Sequence, residues 1–163
     1  MFRAVGDGRI KALWIACTNP AVSMPDADAV RDAIKNCDFV VVSDITGQTD
    51  TARLADVLLP ATGWAEKDGT VTNSDRTISR QRATLPAPGH ARHDWSLFSE
   101  VGRRMGWQAA FDYANPAEIF REHAALSGIA GALGRDFDIS ALSDIEDSAY
   151  DCLLYTSPSP RDA

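Results

Sequence analysis

The sequence predicts an α/β fold, a partial, open, mainly parallel sheet flanked by helices, with a helical C-terminal connector. Three observations predict it. The runs IKALWIA at 10–16 and FVVV at 39–42 are apolar on both faces, as strands covered on both sides of a parallel sheet are. Between them lies an amphipathic helix pattern, so strand, helix and strand follow within about 35 residues as a βαβ unit. A third apolar run, Val57-Leu58-Leu59, closes on Pro60 and continues the alternation.

Taken in order, residues 2–8 read as the interior of a helix and a turn entering the first strand, and Met1 is expected to be an internal methionine. The strand ends in the polar turn Cys17-Thr18-Asn19-Pro20. Pro25-Asp26-Ala27-Asp28 then opens a helix whose core face holds Val30, Ala33 and Ile34, stopping near Asn36. The crossover into the second strand, which ends at Ser43-Asp44, is expected to be right-handed. Residues 49–55 form a short helix candidate, and Val57 to Pro60 a short buried strand. Residues 63–82 are rich in Gly, Asp, Asn and Thr with alternating Val71 and Ile78, predicting a loop and irregular hairpin over the sheet's end, outside the core.

Asp94 is expected to cap a helix with a core stripe of Trp95, Phe98, Val101 and Met105, ended by Gly106. Asn115, Pro116 and Glu118 supply an N-cap, a first-turn proline and a capping-box glutamate for a helix through Ile119, Phe120, Ala124 and Leu126 to Gly128. Residues 129–151 read as a connector anchored by Ala141-Leu142 and Ile145. The expected organisation is an α/β domain at 1–110 and a helical connector at 111–151. The last stretch, CLLYTSPSPRDA at 152–163, back-translates onto a transposon-type sequencing adapter, so it is expected to be adapter-derived and is set apart from fold reasoning.

A chain of 163 residues suits one ordinary domain, and 45% hydrophobic with 24% charged residues is a globular composition. The net charge of −7 repels duplex nucleic acid and anionic membrane surfaces, so neither is expected as a partner. No apolar run reaches the length of a membrane helix, and the N-terminus has no signal-peptide pattern, so the cytoplasm is the expected location. Cys17, Cys37 and Cys152 are odd in number and widely spaced, which gives neither a disulfide framework nor a zinc or iron–sulfur site.

In an open parallel sheet, ligands bind beyond the carboxyl ends of the strands, which directs attention to Asn19, Ser43, Asp44 and the segment after Pro60. Asn19 offers an amide oxygen and two N–H donors, Asp44 accepts from two donors at once, and Ser43 adds a hydroxyl, a set that suits a nucleoside. Turn and cap roles suit the same residues equally. Lys67, one of three lysines, is a point charge for a phosphate or a pterin oxygen within Glu66-Lys67-Asp68-Gly69-Thr70, where a solvated charge run is the rival reading. Arg76, Arg80 and Arg82 suit an anionic ligand or an internal acidic surface better than nucleic acid. GxGxxG after a strand, GxxxxGK[ST] and GxSxG are all missing, which sets aside dinucleotide-fold, P-loop and hydrolase-elbow readings. His90, His93 and His123 are scattered and receive no catalytic role.

The strings ADVLLPA, EKDGT and TNSDR, in that order, with PAPGHARHDW and PAEIFREHAALS downstream, closely resemble the molybdopterin oxidoreductase family over residues 2–151. Within the family the likeness is nearest to bacterial assimilatory nitrate-reducing members. The resemblance implies a large multidomain enzyme of which this chain is a fragment, carrying molybdenum on bis-molybdopterin guanine dinucleotide and a 4Fe-4S cluster bound outside the fragment. It implies that Asn19, Ser43, Asp44, Lys67 and Asp94 bind the guanine dinucleotide cofactor, and that no catalytic or metal-ligating residue lies here. It further implies, as partners, the remaining domains of the same enzyme, an electron-donor protein or subunit and a small anionic substrate, nitrate being reduced to nitrite. Formate dehydrogenation is the alternative within the family, and a non-catalytic nucleotide-binding module of a redox complex the alternative outside it. The fragment alone is expected to be inactive, with bare sheet edge and apolar surface.

Overall fold

The computed structural model describes residues 1–131 and 133–156. They fall into two compact units interleaved along the chain, one of residues 1–64 and 86–98, the other of residues 65–85 and the residues from 99 onward.

The first unit is built on the predicted parallel strands. β1 (Ala12–Ala16), β2 (Phe39–Asp44) and β3 (Val57–Pro60) lie in the order β1-β2-β3, with Trp14 opposite Val41 and Val42 opposite Leu58. Helices α1 (Phe2–Gly6), α2 (Pro20–Ser23) and α3 (Ala27–Lys35) accompany them. Val30, Ala33 and Ile34 of α3 pack as expected with Leu13, Ile15, Val40 and Val42, alternate residues of the two strands and therefore one sheet face. Burying a side chain such as Ile34 contributes about 1.5–3 kcal/mol.

Two expectations for this unit need correcting. Residues 49–55 are not an α-helix; only a single 3₁₀ turn, Ala52–Leu54, forms after Thr51. β3 is not buried: with no neighbour beyond it among the described residues, it is an edge strand on which Val57 and Leu58 are exposed.

In the second unit β4 (Gly69–Thr72) and β5 (Ile78–Gln81) form an antiparallel hairpin, and β6 (Tyr155–Thr156) pairs with β5. The sequence placed this hairpin outside any core, whereas Ile78 is buried with Ala117, Phe120, Ala124, Ile139 and Tyr150. The connector is likewise better anchored than expected: Ile139 and Tyr150 of α6 (Asp147–Cys152), rather than only Leu142 and Ile145, enter that cluster.

α5 (Pro116–Gly131) begins as the sequence predicts. Asn115 Oδ1 accepts the Glu118 N–H at 3.1 Å, and the Glu118 carboxylate accepts the Ala114 N–H at 2.7 Å. α4 (Asp94–Arg104) exists, but its stripe is corrected: Phe98, Val101 and Met105 are exposed, and the buried positions are Leu97, Ser99 and Gly102. The cause is close approach, because the Phe111 ring lies where a side chain on Gly102 would sit, 2.4 Å from a Cβ built there. Small residues mark that face, and a search for large apolar residues overlooks them.

Candidate functional site

The candidate site follows from strand geometry. Parallel strands end together, and the turns leaving β1, β2 and β3 continue the hydrogen bonding a residue or two further: Cys17 N–H donates to Ser43 O at 3.2 Å, and Ala61 N–H to Asp44 O at 3.0 Å. Beyond β3, Arg92 N–H donates to Pro60 O at 3.0 Å and Thr62 N–H to Arg92 O at 3.1 Å, which brings the start of α4 to the same edge. Asn19, Ser43, Asp44 and Asp94 are therefore gathered at the carboxyl edge of one sheet.

Their side chains are differently committed. Asn19 Oδ1 accepts two hydrogen bonds, from Thr51 Oγ1 at 2.7 Å and Thr51 N–H at 3.2 Å, leaving the Nδ2 hydrogens without a protein partner among the described residues. Asp44 accepts from Ile45 N–H at 2.7 Å and Thr49 Oγ1 at 3.3 Å, one donor on each oxygen. A carboxylate has about four lone-pair sites, so each oxygen retains one for a ligand. Ser43 is buried, and its Oγ accepts the Trp14 Nε1–H at 2.6 Å, with Trp14 in turn packed on Phe98 at 4.4 Å between ring centroids.

Asp94 is the first residue of α4, not its cap. The His93 carbonyl accepts Ser96 N–H at 3.0 Å and Leu97 N–H at 3.2 Å, so His93 holds the cap position. Asp94 Oδ1 accepts the Cys17 thiol at 3.5 Å, and a carboxylate there is favoured by the helix dipole. His93 Nδ1 also meets the fully buried Thr62 Oγ1 at 3.1 Å. Thr49, Thr51 and Thr62 were overlooked in the sequence, where nothing distinguishes them from surface threonines.

Lys67 belongs to the other unit, in the loop just before β4. That loop is held by Arg80, which shares a strand face with Ile78 and whose side chain is only 4% exposed. Arg80 donates to the Asp68 carboxylate, to Gly69 O at 3.0 Å, to Gln81 O and to Asp151 Oδ1 at 3.1 Å, and its guanidinium lies 4.4 Å from the Tyr150 ring centroid. Burial works against the charged Arg80, yet the bonds to Asp68 and Asp151 outweigh it and hold its pKa above the ordinary value. Arg82 donates to Asp151 O and to Leu153 O at 2.8 Å, at the C-terminal end of α6. Of the two roles open to the arginine strip, Arg80 takes the internal acidic surface, whereas Arg82 is spent on main-chain carbonyls.

A groove of about 1250 Å³ is lined by Phe2, Trp14, Met24, Asp26 and Asp32 among others. It includes neither Asn19 nor Asp44. It reaches the end of β1 at Ala16, Thr18 and Pro20, on either side of Asn19, but holds none of the uncommitted strand-end groups, and these define the candidate site. Among the described residues no group of three or more His, Cys, Asp and Glu is placed to hold a metal ion, and no helix is long and apolar enough to cross a membrane.

The profile of the molybdopterin oxidoreductase family matches residues 1–104, well over half of the chain. The chain belongs to the molybdopterin oxidoreductase family. It is similar to a nitrate reductase of Klebsiella oxytoca, 49% identical over 153 residues, which is 94% of this chain and 18% of that protein. It is also similar to a formate dehydrogenase alpha subunit of Methanocaldococcus jannaschii, 45% identical over 113 residues, covering 69% of this chain and 17% of that one. The solved structure of acetylene hydratase from Pelobacter acetylenicus superposes on 97% of this chain and 20% of its own with a TM-score of 0.71 at 20% identity, a likeness of fold. The chain thus spans less than a fifth of the length of these two curated relatives. Family membership implies a molybdopterin cofactor. The donor set at the strand ends fits a polar, ring-bearing group of this kind, since Asn19 has two amide hydrogens to give and Asp44 has lone pairs to receive hydroxyl or ring N–H donors.

Proposed function

We propose that the intact protein reduces nitrate to nitrite and that this chain forms part of the wall holding bis-molybdopterin guanine dinucleotide. Asn19 and Asp44 would bind the nucleoside end directly, and Asp94 would act at the same edge. Ser43 would contribute from beneath, as its side chain supports Trp14, and Lys67 would meet an anionic or carbonyl oxygen of the cofactor from its own unit. When bound, the molybdenum supplies oxygen-atom transfer, nitrate taking up two electrons and two protons to leave nitrite and water. This chain's residues bind and orient; they donate or accept no proton in the reaction. Electrons would arrive from a donor protein through a 4Fe-4S cluster held elsewhere in the enzyme, which we place in the cytoplasm.

The observation supporting this reading is the pair of uncommitted groups at adjacent strand ends, the Asn19 Nδ2 donors beside the remaining Asp44 acceptors. The substrate assignment draws on the similarity to a nitrate reductase across 94% of the chain, against 69% for the formate dehydrogenase. That second similarity keeps formate oxidation as the alternative. The test uses the full-length protein. Asn19→Ala and Asp44→Ala are expected to lower bound molybdenum per polypeptide several-fold while the cofactor-free protein still folds, with a lower melting temperature for Asn19→Ala because the buried Thr51 donors lose their acceptor. Unchanged molybdenum content in both variants would overturn the site. Formate oxidation without nitrate reduction would overturn the substrate.

A further inference from the structure

We propose that Thr51 is a positioning residue that decides which end of the Asn19 amide the cofactor meets. The proposal rests on the reading of Asn19 as a cofactor contact given above.

Thr51 is fully buried. Its Oγ1 accepts the Ala21 N–H at 3.1 Å, so its single hydrogen is spent on Asn19, at 2.7 Å. The Thr51 backbone N–H reaches the same Asn19 atom at 3.2 Å. A backbone N–H can only donate, so the atom facing Thr51 is the amide oxygen, and the flipped amide would set two donors against each other. The turn carries a second such device, in which Thr49 Oγ1 accepts Ala52 N–H at 3.1 Å and donates to Asp44 Oδ2 at 3.3 Å. One short turn between β2 and β3 thereby orients the side chains that end β2 and follow β1. Asn19 is left able to offer a ligand only donors, so its contact must fall on an acceptor atom of the cofactor, a carbonyl, ring nitrogen or phosphate oxygen.

The test compares four variants of the full-length protein by bound molybdenum per polypeptide and by melting temperature without cofactor. Thr51→Ser keeps the hydroxyl and should load like the parent. Thr51→Val removes the hydroxyl's hydrogen bond to Asn19, and the acceptor for Ala21 N–H, but keeps the backbone N–H; with one of the two bonds to the amide oxygen gone, loading should fall by up to about tenfold. Combining Thr51→Val with Asn19→Ala should be no worse than Asn19→Ala alone. Asn19→Asp keeps acceptors for both Thr51 donors but turns an acceptor outward; it should melt like the parent and load as poorly as Asn19→Ala, and it carries the test should Thr51→Val fail to fold. Full loading of Asn19→Asp, or of a folded Thr51→Val, with Asn19→Ala impaired would overturn the positioning role alone. Full loading of Asn19→Ala would overturn the cofactor contact and the positioning role with it.

Discussion

Replacing Arg80 with methionine tests how the second unit is held together. The guanidinium joins three pieces of chain: the loop at Asp68 and Gly69, its own strand at Gln81, and α6 at Asp151, with Tyr150 beneath it. Methionine keeps the apolar stem and removes every donor. Taking one partner from a buried ion pair costs about 3–5 kcal/mol. Here the carboxylates are partly open, with side chains 39% exposed for Asp68 and 69% for Asp151, so water recovers part of their solvation. The carbonyls of Gly69 and Gln81 lose their donor, whereas the Arg80 Nε, buried without a partner among the described residues, disappears at a gain. The balance is a loss of about 2–3 kcal/mol. For a chain of this length that is a fall in Tm of about 5–10 °C. Urea unfolding of the 163-residue chain would read the free energy, and amide hydrogen exchange its location. Exchange should rise at residues 68–81 and 147–154 and hold at 12–16 and 39–44. A loss below about 1 kcal/mol, or a uniform rise in exchange, would refute the reasoning.

Tyr150→Phe removes a buried hydroxyl that has no partner among the described residues, so stability should hold or improve by up to about 1 kcal/mol in urea titrations. Burial also pushes the Tyr150 phenol above its ordinary value of 10.0, with Arg80 acting in the opposite sense. The folded state therefore keeps this proton more tightly than the unfolded one: the contribution is intact below pH 10 and is lost as pH rises through the folded value. Between pH 9 and 11 the phenylalanine variant should lose less stability than the parent, and identical slopes would count against a buried neutral phenol. Ser43→Ala leaves the Trp14 indole N–H without its 2.6 Å acceptor and should cost about 1–2 kcal/mol, with a changed near-ultraviolet tryptophan signal; an unchanged urea midpoint would show that solvent replaces the hydroxyl.

What could be read from the sequence was what lies within reach along the chain. The runs at 10–16 and 39–42 are apolar on both faces whatever their neighbours, and α3 and α5 announce themselves through periodicity and, for α5, the local bonds of Asn115 and Glu118. From these the parallel sheet, its carboxyl edge and the candidates Asn19 and Asp44 follow. The family was legible in ADVLLPA, EKDGT and TNSDR.

Tertiary structure decided the partners. Thr51 meets Asn19 across 32 residues, and Arg80 meets Asp151 across 71, separations over which no local pattern constrains pairing. The exposed stripe of α4 was misread for a related reason: Gly102 is buried because Phe111 folds back onto it, and an apolar pattern scores side-chain size but not close approach. Ile78 looked like a loop residue until α5 and α6 supplied a core to enter. Local sequence determines which elements form and where their ends fall, because backbone bonding and periodicity are short-ranged. Which polar groups are satisfied inside, and hence which remain free for a ligand, depends on segments brought together only by folding.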